Sequence, residues 1–276
     1  MEGSITIIPT FSLIAYSSCD NCGMLPINCH VVSVSSHGES SWSLGYKVDV
    51  EVDGEIYGYF LKIISQPRHF EMARGEFESQ KELEKYLPDN DALALAYGRL
   101  ELDCSSSFFL ATFRHLSDEI LDPQRLAEVL KRLHQTSVSP TGQFGFHEYF
   151  SRQLRANIQW LHSVRGPDPE FDKVARKFFE KVVPRLLRPL QSGGRSINPV
   201  LVHGDVWPGN VQLDTATQQV ILFDACCCYG HNELDLAMMR EPSYQFTSKY
   251  ADVYRRLVTP SEPVEDFDER NTIYAM

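Results

Sequence analysis

Val202-His203-Gly204-Asp205-Val206-Trp207-Pro208-Gly209-Asn210, followed 14 residues later by Asp224 in Ile221-Leu222-Phe223-Asp224, is the stretch that decides how this chain reads. A short apolar run, 199–202, leads into a tight turn holding two glycines and a proline. Two further strand patterns, 210–214 and 219–224, flank a polar turn. A hairpin returns the chain to its origin, so Asn210 and Asp224 are expected side by side. A carboxylate and an amide oxygen are hard donors that suit Mg2+. Asp205, five residues before Asn210, then stands near such an ion without ligating it. That is where a base would take the proton of an attacking hydroxyl. The order Asp, four residues, Asn, then a second Asp is that of phosphoryl-transfer sites. Each residue alone reads as a turn or cap residue; the combination points to chemistry.

The upstream sequence supplies a complement. Tyr59-Phe60-Leu61-Lys62-Ile63-Ile64 is a strand with one lysine among apolar neighbours, able to reach α- and β-phosphates. Its bland alternative is a surface lysine with a buried stem. Fourteen residues on, Glu76 lies in an amphipathic helix at about 70–87 and can pair with Lys62, with Glu78 as a competitor. The loop Ser35-Ser36-His37-Gly38-Glu39-Ser40-Ser41 can cover phosphates with backbone N–H groups, although Gly38 is its one glycine. The run from Phe108 ends in Ala111-Thr112-Phe113, where a two-lobed kinase meets adenine; the alternative is an edge of the core.

The 276 residues carry 26 basic and 37 acidic side chains, a net charge of −11, which argues against nucleic acid as a main partner. With 43% apolar and 23% charged residues the composition is that of a globular protein, not a fibrous or wholly disordered one. No apolar run reaches the ~18 residues a membrane helix needs. The first residues lack a basic segment and Pro9 interrupts their apolar stretch, so no secretory signal is expected and the compartment is read as cytoplasmic. Seven cysteines is an odd number, which disfavours a closed disulfide framework. Cys104 and Cys226-Cys227-Cys228 are expected as buried thiols. Cys19, Cys22, Cys29 and His30 offer one C-x-x-C only, too few spaced pairs for structural zinc.

Strand patterns at 30–35, 44–52 and 56–64 surround the turn Val52-Asp53-Gly54-Glu55, a strong hairpin signal. Another pair is expected at 93–102 and 106–113. Asp122 can cap a helix with Pro123 in its first turn and a stripe of Leu126, Val129, Leu130 and Leu133. Helical patterns follow at 147–165, 169–191, 232–240 and 244–257. The acidic stretch Glu262–Glu269 reads as solvated. The expected class is α+β: a partly ordered leader, 1–29, an antiparallel β-sheet lobe with one helix, 30–113, and a larger, mainly helical lobe, 114–276.

His203–Asn210 together with Phe223-Asp224-Ala225-Cys226-Cys227-Cys228-Tyr229-Gly230-His231-Asn232-Glu233-Leu234-Asp235-Leu236-Ala237 resembles the ketosamine kinases, also called fructosamine kinases, in their fungal form. The resemblance covers about residues 30–276. It also rests on Tyr59–Lys62, Gly75-Glu76, the run Ser139–His147, and Asp268-Glu269-Arg270-Asn271. It implies a two-lobed protein-kinase-like fold shared with aminoglycoside phosphotransferases. It implies ATP- and Mg2+-dependent phosphorylation of the 3-hydroxyl of a ketosamine, free or on a glycated protein, whose unstable product releases the amine. By matching position, Asp205 is the base, Asn210 and Asp224 hold Mg2+, and Lys62 binds phosphates and pairs with Glu76. Gly38 and the segment Ala111, Thr112 and Phe113 serve ATP. Asp235 and His203 brace the catalytic loop, and Trp207, Tyr229 and His231 stand on the acceptor side.

Relatives usually continue past Tyr274-Ala275 with more helix, so the resemblance implies a shortened helical lobe with exposed apolar surface. They more often have proline at Ala225. The phosphate loop has no cysteine, so no redox-linked dimer is implied, and the chain is read as a monomer. Two other readings stay open: a small-molecule kinase of the aminoglycoside-phosphotransferase-like class, and a truncated nucleotide-binding pseudokinase.

Overall fold

The computed structural model describes residues 29–100, 103–143, 147–241 and 243–276. The expectations for the leader, Cys19 and Cys22 included, and for Phe144-Gly145-Phe146 lie outside the described residues. The chain divides into two compact units: one takes in residues up to Asp118 with Gln212–Cys226, the other Glu119–Val211 with Cys227–Met276.

In the first unit, strands β1 (His30–Glu39), β2 (Ser43–Val52), β3 (Glu55–Ile64), β4 (Ala94–Arg99) and β5 (Ser107–Thr112) form one antiparallel sheet in the order β1-β2-β3-β5-β4. The β2–β3 turn forms as its sequence predicts: Asp53 and Gly54 both take positive φ, 51° and 86°, and Val52 pairs with Glu55. Alternation along β2 and β3 buries Val48, Val50 and Leu61 against Phe108 and Leu110. Helix α1 (His69–Tyr86) follows β3 and stops where Pro88 disfavours another helical residue before it. The loop expected at 35–41 is shorter than its composition suggests: β1 runs to Glu39, with a register shift between Ser36 and Glu39.

A three-stranded sheet in the same unit has the order β6 (Leu116–Ser117), β8 (Val211–Asp214), β9 (Val220–Leu222). The outer edge of β9 is occupied by the chain after α1. Leu222 N–H donates to the Asn90 carbonyl at 2.8 Å, and Asn90 Nδ2 donates to the Val220 carbonyl at 2.7 Å. Asp91 is buried beside it, and burial pushes its carboxyl up to about 7 against the opposing hydrogen bond from Gln80. Its Oδ2 has no hydrogen-bond partner among the described residues. The folded state therefore holds a proton that the unfolded chain loses near its ordinary value of 3.8. This contribution lowers stability as pH rises from about 4 to about 7, by up to ~4 kcal/mol. Asp91→Asn is expected to flatten that part of the Tm-against-pH curve and to raise Tm at pH 8. An unchanged slope would show that Asp91 is ionised throughout.

The second unit is mainly helical: α2 (Pro123–Thr136), α3 (His147–Arg165), α4 (Pro169–Lys177), α5 (Val183–Leu187), α6 (Ser248–Leu257) and α7 (Phe267–Tyr274), with β7 (Val200–Val202) paired to β10 (Cys228–Gly230). Asp122 caps α2 as expected, accepting from the N–H groups of Gln124 and Arg125, both at 3.1 Å. The helix expected at 169–191 is not continuous. A π-helical turn, Phe178–Val182, intervenes before Pro184, which has no N–H to donate to the carbonyl four residues back. Asn232–Arg240 is 3-10 rather than α, and α6 begins at Ser248 rather than 244.

Three expectations are corrected. Glu262–Glu269 is solvated at Glu262, Glu265, Asp268 and Glu269 but not at Phe267, which is buried where a 3-10 turn leads into α7, and Arg270, Asn271, Ile273 and Tyr274 beyond it are buried too. Arg270 donates through Nε and Nη2 to Glu233 at 2.8 and 2.9 Å and to the carbonyls of Pro263 and Ser261. A strand, β10, forms where no strand was expected. None of the four cysteines expected to be buried is so: Cys104 and Cys226 are exposed, in turn and irregular backbone, and Cys227 and Cys228 are half-buried.

Candidate active site

In the first unit β3 turns Lys62 to the sheet face opposite Leu61. It lies across from Gly45 on β2 and Phe109 on β5. Its ammonium, buried, donates to both carboxylate oxygens of Glu76 at 3.0 and 2.9 Å and to Asp224 Oδ1 at 2.8 Å. Burial acts to lower the Lys62 pKa, but the charges of Glu76 and Asp224 outweigh it and hold the ammonium above its ordinary value. Glu76 rather than Glu78 makes the pair, since Glu78 binds Arg74 one turn away. Asp224 lies two residues past β9 with φ 55°. That region costs a non-glycine residue about 1–3 kcal/mol and recurs where function holds it.

Gly38 has φ 96° with open space about it. Gly45 is required beneath the β1 bulge, because a Cβ there would lie 2.5 Å from the His37 carbonyl oxygen. The His37 ring meets Phe113 edge-on at 4.8 Å. Ala111 sits within β5, paired with Phe60 and Ala94. The N–H groups of Thr112 and Phe113 donate to the carbonyls of Leu93 and Gly58, both at 3.0 Å, so these two donors are already engaged. Thr112 Oγ1 is buried without a partner among the described residues.

In the second unit the turn after β7 gathers the other polar residues. Asn210 Nδ2 donates to Asp205 Oδ2 at 2.8 Å and to the Asp205 carbonyl at 3.1 Å. Both bonds come from the amide nitrogen, which leaves the oxygen as the donor atom for a cation. The Asp205 N–H donates to His203 Nδ1 at 3.2 Å. Asp235 is buried and accepts from the N–H groups of His203 and Gly204 at 2.9 and 2.8 Å. His134 Nε2 meets the same carboxylate at 3.0 Å. A carboxylate only accepts, so Nε2 carries the proton, and Nδ1 accepts from the Tyr254 hydroxyl at 2.7 Å. Asn232 Nδ2 in turn donates to that hydroxyl at 2.9 Å. Burial alone would raise the Asp235 carboxyl, but His134, the nearby His203 ring and the Gly204 N–H hold it below its ordinary value.

Trp207 is half-buried and packs on Tyr244 with ring centroids 5.1 Å apart. Gly209 makes room for it, since a Cβ at that position would fall 2.3 Å from the indole. Tyr229 is half-buried on β10 opposite Leu201. His231 lies in the C-terminal core rather than at an open surface: it is 1% exposed, with Nδ1 bonded to the Tyr274 hydroxyl and Nε2 to Ser261 Oγ, both at 2.9 Å.

The structure thus gathers Lys62, Glu76 and Asp224 in one unit and His203, Asp205, Asn210 and Asp235 in the other. Sequence reasoning missed His134, Tyr254, Gln80 and Asn90. The first three stand at buried positions of amphipathic helices, where a polar residue is the available signal.

Comparison with known proteins supports one reading. Residues 148–276 match the family model for fructosamine kinase. A chloroplastic protein-ribulosamine 3-kinase of Oryza sativa subsp. indica is 26% identical over 204 residues, covering 66% of this chain and 55% of that protein. The chain thus spans about half the length of this relative. A Haemophilus somnus 129PT structure assigned as a fructosamine-3-kinase superposes with TM-score 0.62 at 17% identity, over 89% of this chain and 81% of that one. A thermostable mutant of aminoglycoside phosphotransferase APH(4)-Ia, solved with AMP-PNP and hygromycin B, gives TM-score 0.58 at 16% identity, over 88% and 84%. The fold is the protein-kinase-like fold these structures share, and residues 148–276 are similar to the fructosamine kinase family.

Proposed function

We propose that this chain is an ATP- and Mg2+-dependent ketosamine 3-kinase, acting on the ribulosamine or fructosamine adducts that glycation leaves on amines. The observation that carries the reading is the buried Lys62 ammonium bonded to both Glu76 and Asp224. A lysine fixed between two carboxylates is a cation prepared for phosphate. Asn210 and Asp224 offer an amide oxygen and a carboxylate, the hard donors Mg2+ takes, and the ion when bound offsets phosphate charge.

Asp205 acts as base. It takes the proton of the 3-hydroxyl as that oxygen bonds to the γ-phosphorus and the bond to the ADP oxygen breaks. Its carboxylate is oriented by Asn210, and its loop by Asp235 through two backbone N–H groups. The half-buried Trp207 and Tyr229 are the acceptor-side residues, where an apolar ring packs on a sugar face. His37, Gly38 and the Ala111–Phe113 segment belong to the nucleotide side; with two backbone donors engaged, adenine is read there through other groups.

The test uses the purified chain, Mg-ATP, and ribulosyl- and fructosyl-lysine, with products followed by mass spectrometry. A product heavier by one phosphoryl group on either compound is expected. Transfer only to aminoglycosides or amino alcohols would replace the acceptor. Binding of Mg-ATP with no transfer to any acceptor would make the chain a pseudokinase.

A further inference from the structure

Helix α1 carries a second polar residue on its buried face. Gln80 is 1% exposed, one turn beyond Glu76 on the same side of the helix. A leucine would fill that position without any demand for partners, so a buried amide there needs a reason. Its Nε2 donates to the Leu222 carbonyl at 2.7 Å and also to Asp91 Oδ1. Leu222 is the last residue of β9 and lies two residues before Asp224. Asp224 binds Lys62, and Lys62 binds Glu76. The contacts therefore close a ring. From Glu76 the path runs through Lys62 to Asp224, back along Phe223 to Leu222, across to Gln80, and one turn down α1 to Glu76.

We propose that Gln80 is a positioning residue for Asp224: it fixes the end of β9 to α1, so that one helix face sets the lysine through Glu76 and the metal-binding carboxylate through the Leu222 carbonyl. The proposal rests on the reading of Asp224 as a Mg2+ ligand. Asp224, two residues past the end of β9, departs into a left-handed backbone conformation. A short segment in that conformation needs an anchor close by. Gln80 supplies it on the side of Leu222 that faces α1, while the Asn90 bonds hold the strand further back, at Val220 and the Leu222 N–H. Pairing with Lys62 alone restrains one oxygen of Asp224 but not the backbone that carries it. Groups that orient a ligand without touching the metal usually change metal affinity by about 10–100-fold when lost.

The test compares the wild-type chain with Gln80→Met, which keeps the side-chain length but donates nothing. Gln80→Glu serves as a second variant, which keeps the shape and loses the N–H donors. Stabilisation by ATP is followed as Mg2+ is titrated. The expected result is a rise of about tenfold in the Mg2+ concentration for half-maximal stabilisation. A residue that merely packs would lower Tm without moving that midpoint. An unmoved midpoint in the variant that folds, with a clear wild-type response, overturns the positioning role alone. A wild-type chain whose ATP response ignores Mg2+ overturns the metal reading of Asp224, and the proposal with it.

Discussion

Asp205→Asn is expected to lower kcat for ketosamine phosphorylation by about 10²–10⁴-fold, the range general base catalysis contributes. The substitution removes a proton acceptor and little else. Its volume is conserved, and an amide oxygen at that position can still accept the bond from Asn210 Nδ2 that now runs to Asp205 Oδ2 at 2.8 Å. The loop itself is held by backbone groups, because the N–H groups of His203 and Gly204 donate to Asp235. Lys62, Glu76 and Asp224 are left untouched, so stabilisation by Mg-ATP should match that of the wild-type chain. Steady-state kinetics with ribulosyl-lysine, paired with a thermal shift in Mg-ATP, separates these outcomes. Turnover within a few-fold of wild type would remove Asp205 from the role of base.

The second large effect is on stability. Arg270→Met is expected to cost about 3–5 kcal/mol, because it leaves Glu233 as a buried, uncompensated carboxylate. Arg270 is fully buried and Glu233 is 1% exposed. The guanidinium donates twice to Glu233 and to two backbone carbonyls, tying α7 and the segment Ser261–Pro263 to the 3-10 turn that also carries Asp235. The Ser261 N–H donates to the same carboxylate at 2.9 Å. Replacing both partners, as Arg270→Met with Glu233→Leu, should recover part of the loss, because no charge is then left behind. Urea denaturation measures this as a fall in midpoint at constant slope. A loss below about 1 kcal/mol would mean that water reaches the carboxylate and the pair behaves as a surface one.

Some of these features are legible from neighbouring residues alone. Asp53-Gly54 dictates its hairpin because both positions must take positive φ, and Asp122-Pro123 dictates a helix start because an acceptor precedes a residue with no N–H to satisfy. The turn His203–Asn210 belongs to the same class in part: two glycines and a proline mark a tight local loop, while the bond from Asn210 to Asp205 is seen only in the structure. The spacing of Lys62 and Glu76 across a strand and the following helix also suffices to suggest their pair.

What is absent from that reading depends on partners far along the chain. Gln80 and Leu222 are 142 residues apart, Asn90 and Val220 130, and His134 and Asp235 101. A buried polar side chain is stable only where a complementary group meets it, and no local pattern says which group that is. Arg270 shows the same limit: among acidic neighbours it reads as a surface residue, until the fold delivers Glu233. Turns and caps such as Asp53-Gly54 and Asp122-Pro123, and most strand periods, are legible in the sequence because backbone conformation answers to near neighbours, and the same reading nominates candidates for phosphoryl chemistry. The tertiary structure alone decided which of two glutamates meets Lys62, which buried amide anchors the strand before Asp224, and that His231 joins the core, because each is a choice of hydrogen-bond partner made only when distant segments pack.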